Sequence, residues 1–279
     1  MPVILGCTLL VPADRIGLRA LTAFVVNEVA LKVVDFLRQK PRPTLREFLW
    51  LLVPFPTLAV VYPDHKRRLA QPDDPWPHVI RLILGTIGVV AGFKLTIEAQ
   101  YVPLLQSNFL VDHACKVLLF ILTVESLSRV LFALERLAGF DTTPVIRNMF
   151  LARTPADFWR RYNSRVHDWL FQNVFLPAGG RRAPVRGIVA VFAFSAVLHE
   201  LMFGIATSRF DGRQLAFFLL QIPGVLASGA LERFARRNGT PGLVVTHAFT
   251  IAFMAATSVL FFTNLSRVFP FVYAGGPPG

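Results

Sequence analysis

The chain is poor in charge. Asp, Glu, Lys and Arg make up only 16% of its 279 residues, against about 25% in an average soluble domain. That is too little to cover a water-facing surface, which excludes an ordinary soluble globule. A hydrophobic content of 54% excludes a disordered chain. Acidic residues are the scarcest charges: 17 Asp and Glu face 29 Lys and Arg, for a net charge of +12. Cysteine is nearly missing. Cys7 and Cys115 stand alone in or beside apolar runs, so they form neither a disulfide framework nor a zinc site and read as small buried apolar residues.

What the chain does have is long apolar runs and 26 phenylalanines. This is the composition of an all-α, polytopic, integral membrane protein, read as one membrane-embedded domain over residues 1–279. The basic residues cluster between the apolar runs, where positive-inside topology signals sit. A nucleic-acid partner is therefore not expected, whereas an anionic substrate at the cytoplasmic face would also use this charge.

Six spans are expected, near residues 17–37, 79–99, 114–134, 187–206, 215–231 and 243–265. The first is interrupted by Arg19, Asn27, Glu28, Lys32 and Asp35. The third holds Glu125 and Arg129 at i, i+4, a spacing that allows them to pair. The run 48–61 is short, carries Pro54 and Pro56, and reads as re-entrant. The start lacks a basic region and a long apolar stretch, so no signal peptide is expected. If the basic segments 38–46, 66–68, 147–165, 181–186 and 233–237 face the cytoplasm, then 99–113 and 207–213 face outward.

The segment from Arg153 to Asn163 opens as a helix should. Thr154 suits the N-cap, Pro155 the first helical position, and Asp157 follows three residues after the cap. Phe158, Tyr162, Val166, Trp169, Leu170 and Val174 then fall on one stripe, which predicts an amphipathic helix at a membrane face, closed by Gly179-Gly180. By itself this could be an interfacial anchor, with its arginines on lipid phosphates. The second feature is Phe192-Ala-Phe-Ser-Ala-Val-Leu-His199-Glu200. His199 lies about 20 Å along a helix starting near Arg186, deep in the bilayer, where ionisable groups face a cavity or a polar partner. A neutral imidazole there can act as a general base; a structural histidine bonded to a neighbouring helix is the other reading. His247 is a second intramembrane histidine, nearer a helix end, and reads as structural.

Asp157-Phe158-Trp159-Arg160-Arg161-Tyr162-Asn163, followed by Trp169 and Phe175-Leu176-Pro177, resembles the motif of membrane-bound O-acyltransferases. Phe194-Ser195-Ala196-Val197-Leu198-His199-Glu200 is similar to the wax synthase branch of that family. The resemblance is firm over about 144–206, and the two motifs stand in order, 36 residues apart. It implies transfer of an acyl group from acyl-CoA, as co-substrate, to a hydroxyl, with no metal and no further cofactor. His199 would match the catalytic base and Asn163 its polar partner. Trp159 and Tyr162 would line the substrate path or simply pack, with Ser195 as a further substrate contact. Coenzyme A is polyanionic, so Arg160, Arg161 and Arg165, with Arg181 and Arg182, are candidates for its phosphates; topology and lipid headgroups are the other reading of each. Alginate-type acetyltransferases carry a histidine where this chain has Asn163, a departure that favours the lipid-acylating branch. Members of the family usually have more helices before this core than the chain offers.

The reading is thus an acyl-CoA-dependent, long-chain-alcohol type O-acyltransferase working on a lipid alcohol in the bilayer. Two alternatives stand beside it. One is acetyl transfer to a sugar or secondary metabolite. The other is a non-catalytic lipid-binding or transport protein, which the intramembrane Glu28, Lys32, Asp35 and Glu98 keep open.

Overall fold

The computed structural model describes residues 6–38, 44–45 and 73–275. The expected re-entrant stretch 48–61, the cluster Lys66-Arg67-Arg68 and most of the loop 38–46 lie outside the described residues. Among the described residues the chain is helical, without a strand. The helices are α1 (Ile16–Arg38), α2 (Trp76–Glu98), the short α3 (Pro103–Ser107), α4 (Phe109–Leu137), α5 (Pro155–Tyr162), α6 (Ser164–Leu170), α7 (Pro184–Thr207) and α8 (Arg213–Val268). Four of these, α2, α4, α7 and α8, are long and apolar enough to cross a membrane.

A straight α8 of 56 residues would run about 84 Å, far beyond a bilayer core of about 30 Å. It does not run straight. Gly239, at φ 59° and ψ −138°, takes a conformation that would cost another residue about 1–3 kcal/mol, and the two arms fold back on each other. Gln214 Nε2 donates to the Phe261 carbonyl at 3.4 Å, and Gln221 Nε2 to Thr257 Oγ1 at 3.1 Å. The arms, 213–238 and 240–268, are the last two spans expected from the sequence.

Hydrophobic burial does not drive helices together within lipid; close packing and polar contacts do. Both are visible. Gly85 of α2 lies so near α4 that a methyl group on it would sit 3.0 Å from the Ser126 carbonyl oxygen. At one end of the bundle, Glu200 of α7 accepts from the backbone N–H groups of Gly212, Gln214 and Leu215 at 2.8, 3.1 and 3.3 Å. These are orphan donors at the start of α8, which no residue inside that helix can satisfy. Asp211 beside them accepts from Arg267 at 2.5 Å, closing the hairpin's other foot.

A second lock at that end joins the α2–α4 pair to the hairpin. His113 Nε2 donates to the Ala255 carbonyl at 2.8 Å, and the Tyr273 hydroxyl meets Nδ1 at 2.8 Å. Lys116 and Asp112, both buried, pair at 3.5 Å. Glu125 does not reach for Arg129; it accepts from the Met149 N–H at 2.7 Å and anchors the segment leading to α5. Cys7 is exposed and Cys115 half-buried, so the expectation of burial fails for Cys7; the short 3-10 turn Cys7–Leu10 sits ahead of α1 with only Thr8 buried.

The hydrogen bonds sort the chain into two ends. Arg19, Ser208, Asp211, Arg267, Asp112 and Tyr273 gather at one. Arg136, Glu135, Arg165, Arg147 and Arg161 gather at the other, with the basic α8 tip on that side. A thiol-free background carrying Gln106→Cys or Asn238→Cys, both exposed positions, tests the orientation that the basic end implies. An impermeant thiol reagent on intact cells is expected to label position 106 and to reach position 238 only after permeabilisation; the reverse pattern contradicts the orientation.

Candidate active site

The amphipathic stretch after Arg153 is not one helix at a membrane face. It breaks at Asn163, whose backbone (φ −147°, ψ 86°) ends α5 and begins α6. The start is as the sequence predicts: Thr154 Oγ1 accepts from the Asp157 N–H at 3.2 Å, with Pro155 in the first helical position. The break has a local cause. Asn163 Oδ1 accepts from the Val166 N–H at 3.1 Å, so the side chain caps α6 and competes with continuation of α5. The apolar stripe runs on across it, which is why periodicity alone reads a single helix.

Freed from the helix after it, α5 packs into the bundle. The Trp159 ring lies against Phe192, Phe217, Phe218 and Tyr162, with centroids 5.6, 6.1, 5.6 and 5.8 Å away. Its indole N–H donates to Gln221 Oε1 at 3.4 Å. Asp157 draws Arg160 in at 2.5 Å and Arg161 at 3.0 Å, and accepts from the Arg153 N–H at 3.1 Å. Burial alone would raise the Asp157 carboxyl, but these donors outweigh it and hold it below the usual carboxylate range. Burial pushes the Tyr162 phenol up to about 12, so it stays a protonated donor at neutral pH.

His199 sits in α7, one turn beyond Ser195, with its ring centroid 4.2 Å from that of Phe218. Nδ1 lies 2.8 Å from the Ser195 backbone carbonyl. A carbonyl only accepts, so Nδ1 carries the hydrogen and the lone pair of the neutral ring is on Nε2. Ser195 therefore meets His199 through its main chain.

Two cavities meet at this ring. The larger, of about 640 Å³, is bounded by α1, α5, α6, α7 and α8, and Asn163 and Ser195 line it. The smaller, of about 360 Å³, lies between α4, α5 and α8. Their common wall is Trp159, Tyr162, His199, Phe218 and Phe261. Of the residues singled out from sequence, Trp159, Tyr162, Asn163, Ser195 and His199 come together. Arg160, Arg161 and Arg165 line neither cavity. Arg160 is exposed, and Arg161 also donates to the Arg147 carbonyl at 3.3 Å. Arg165 is buried and bound through both terminal nitrogens to Glu135, and to the Thr143 carbonyl at 2.9 Å. Phe218 and Phe261 carried no signal among so many phenylalanines, although Gln221 had one, as an amide in the middle of an apolar run. His247 is structural, with Nδ1 donating to the Ala152 carbonyl at 2.8 Å.

The model of the membrane-bound O-acyltransferase family matches residues 90–261, more than half of the chain. The chain belongs to this family. It is similar to "Probable long-chain-alcohol O-fatty-acyltransferase 7" of Arabidopsis thaliana, at 32% identity over 167 residues, covering 56% of the chain and 49% of the relative. "Probable long-chain-alcohol O-fatty-acyltransferase 3" of the same plant is 32% identical over 141 residues, or 46% and 41% of the two chains. "Diacylglycerol O-acyltransferase 1C" of Glycine max is 25% identical over 134 residues, or 47% and 26%. The chain thus spans between a quarter and a half of the length of these relatives. Family members are integral membrane proteins, and the apolar helices described above are those of a multi-pass one.

The Glu135–Arg165 pair gives a direct test of what Arg165 does. Breaking a buried pair by removing one partner costs about 3–5 kcal/mol, whereas replacing both by apolar residues of similar size is close to neutral. Arg165→Ala is expected to lower thermal stability in detergent by that amount, and Arg165→Met with Glu135→Leu to recover most of it.

Proposed function

We propose that this chain is an O-acyltransferase that moves a fatty acyl group from acyl-CoA to the hydroxyl of a lipid alcohol, with His199 as general base. The observation that carries the reading is the place of His199: its ring stands in the common wall of two apolar cavities, and Nε2 is the nitrogen left with a lone pair. Two hydrophobic substrates can approach one base from two sides. Family membership and the names of the similar plant enzymes support the same chemistry.

The alcohol oxygen attacks the thioester carbonyl carbon while Nε2 takes the hydroxyl proton. Negative charge grows on the carbonyl oxygen. Two residues that line the larger cavity are the candidate donors: Asn163, through its amide NH2, whose plane is fixed because Oδ1 caps α6, and Tyr162, through its protonated hydroxyl. When the tetrahedral intermediate collapses, the carbon–sulfur bond breaks and the thiolate leaves. The imidazolium returns its proton to the sulfur, giving ester, free coenzyme A and neutral His199. Trp159, Phe218 and Phe261 keep water from the thioester. Arg160, Arg181 and Arg182, all exposed, are the candidates for the coenzyme A phosphates, and the commitment of Arg165 to Glu135 takes it out of that role.

The apolar lining speaks against a sugar acceptor. In the smaller cavity only Tyr162, His199, Thr250 and Ser258 bring polar side-chain groups beyond the indole of Trp159. Thr250 already donates to the Arg153 and Thr246 carbonyls at 3.1 and 2.8 Å. That leaves too few partners for a polyhydroxylated ring.

The test uses protein purified in detergent with labelled palmitoyl-CoA and, separately, hexadecanol, a sterol and a diacylglycerol, following ester and free coenzyme A together. Ester is expected from at least one lipid alcohol. His199→Ala is expected to lower its rate by about 10²–10⁴-fold at an unchanged melting temperature. Ester formation that survives His199→Ala contradicts the assigned base, and folded wild-type protein that releases no coenzyme A contradicts the reading.

A further inference from the structure

The bundle leaves two acceptors on α1 without a donor. Asn27 Oδ1 and Glu28 Oε2 are buried and make no hydrogen bond among the described residues. The two residues are only 5% and 4% exposed. They lie near the middle of α1, and both line the larger cavity, the one that also holds Asn163 and His199. Lys32, one turn further on, and Arg165 supply positive charge near Glu28. Around them the wall is apolar: Phe24, Leu31, Val166 and Leu170. Arg19, Thr142 and Gln214 also have a buried polar atom without a partner, but none of them lines either cavity. The combination of burial, an unmet acceptor and a cavity wall occurs at Asn27 and Glu28.

A buried acceptor facing hydrocarbon forfeits the hydrogen bonds it had in water. A fatty chain filling this part of the cavity would leave both oxygens unmet. A group carrying O–H or N–H would satisfy them. We propose that Asn27 and Glu28 form an acceptor subsite in the wall of the larger cavity, which receives hydroxyl or amide N–H donors of a bound substrate. The proposal rests on the reading of this cavity as the acyl-transfer chamber. Two sources present such donors there: the amides in the pantetheine arm of the thioester, and the hydroxyl-bearing head of the acceptor.

Asn27→Leu and Glu28→Gln in the full chain decide between them. Binding of palmitoyl-CoA, of hexadecanol and of 1-O-hexadecylglycerol is measured on detergent-purified protein, alongside the melting temperature. If the subsite holds the pantetheine arm, Asn27→Leu, which deletes an acceptor, weakens palmitoyl-CoA about five- to thirtyfold, Glu28→Gln, which keeps an uncharged acceptor, weakens it less, and both leave the two alcohols alone. If it holds the acceptor head, the loss falls on the alcohols, and more on hexadecylglycerol. Asn27→Leu removes an unmet polar group, so its melting temperature is expected to hold or rise. Affinities within twofold of wild type for all three probes overturn the proposal. So does a clear fall in melting temperature for Asn27→Leu, which would show that the amide serves the fold. Ester synthesis by the same wild-type preparation reports separately on the functional reading: weakened binding in the variants with no ester from wild type keeps the subsite and removes acyl transfer.

Discussion

A polar group inside a bilayer has no water to turn to, so it must be met within the protein or by a ligand. This constraint organises the whole bundle. Glu200 is spent on the three N–H groups that open α8, which ties the last part of α7 to the hairpin and sets where α8 begins. Glu135 and Arg165 satisfy each other and pin α6 to the end of α4. His113 and Tyr273 join α4 to the hairpin's second arm, and Gln221 holds the two arms and Trp159 together. Each of these contacts lies at a joint between elements, where packing alone would allow sliding.

What the fold leaves unmet is as informative as what it meets. Nδ1 of His199 is held by the Ser195 carbonyl, which fixes the tautomer and the ring plane but leaves Nε2 uncommitted. Asn163 uses the oxygen of its amide to start α6 and is itself a lining residue of the larger cavity. On the proposed mechanism these two groups act as base and donor; oriented by the backbone, they would need little reorganisation when charge moves, and in a water-excluded cavity their electrostatic effect would be large. Trp159, Tyr162, His199, Phe218 and Phe261 line both cavities, so the imidazole and the phenol are the polar groups, with the indole N–H, of an otherwise aromatic common wall.

Much of this was legible in the sequence, for reasons that can be named. The spans follow from apolar run length, and the start of α5 from Thr154, Pro155 and Asp157, because those signals are local. His199 stood out because an ionisable group so far along an apolar helix needs a reason. The break at Asn163 was hidden by an apolar stripe that continues through it, although Asn three residues before Val166 is itself a capping signal. The role of Glu200 was not legible, because its partners are backbone N–H groups of another helix, which carry no sequence mark. In the sequence Arg165 is indistinguishable from its neighbours Arg160 and Arg161 as a candidate phosphate contact. Its true partner, Glu135, lies 30 residues earlier, and only the tertiary fold brings the two together.

The central claim is that the thioester of one substrate and the hydroxyl of the other meet at His199 from opposite cavities. An experimental structure of the protein with hexadecanol and the non-reactive thioether analogue of palmitoyl-CoA tests it most directly. The account predicts the sulfur and its first carbon beside Nε2, the alcohol oxygen within hydrogen-bond reach of the same nitrogen, and the two hydrocarbon chains in different cavities. Both chains in one cavity, or a sulfur remote from a His199 that contacts only protein, would contradict it.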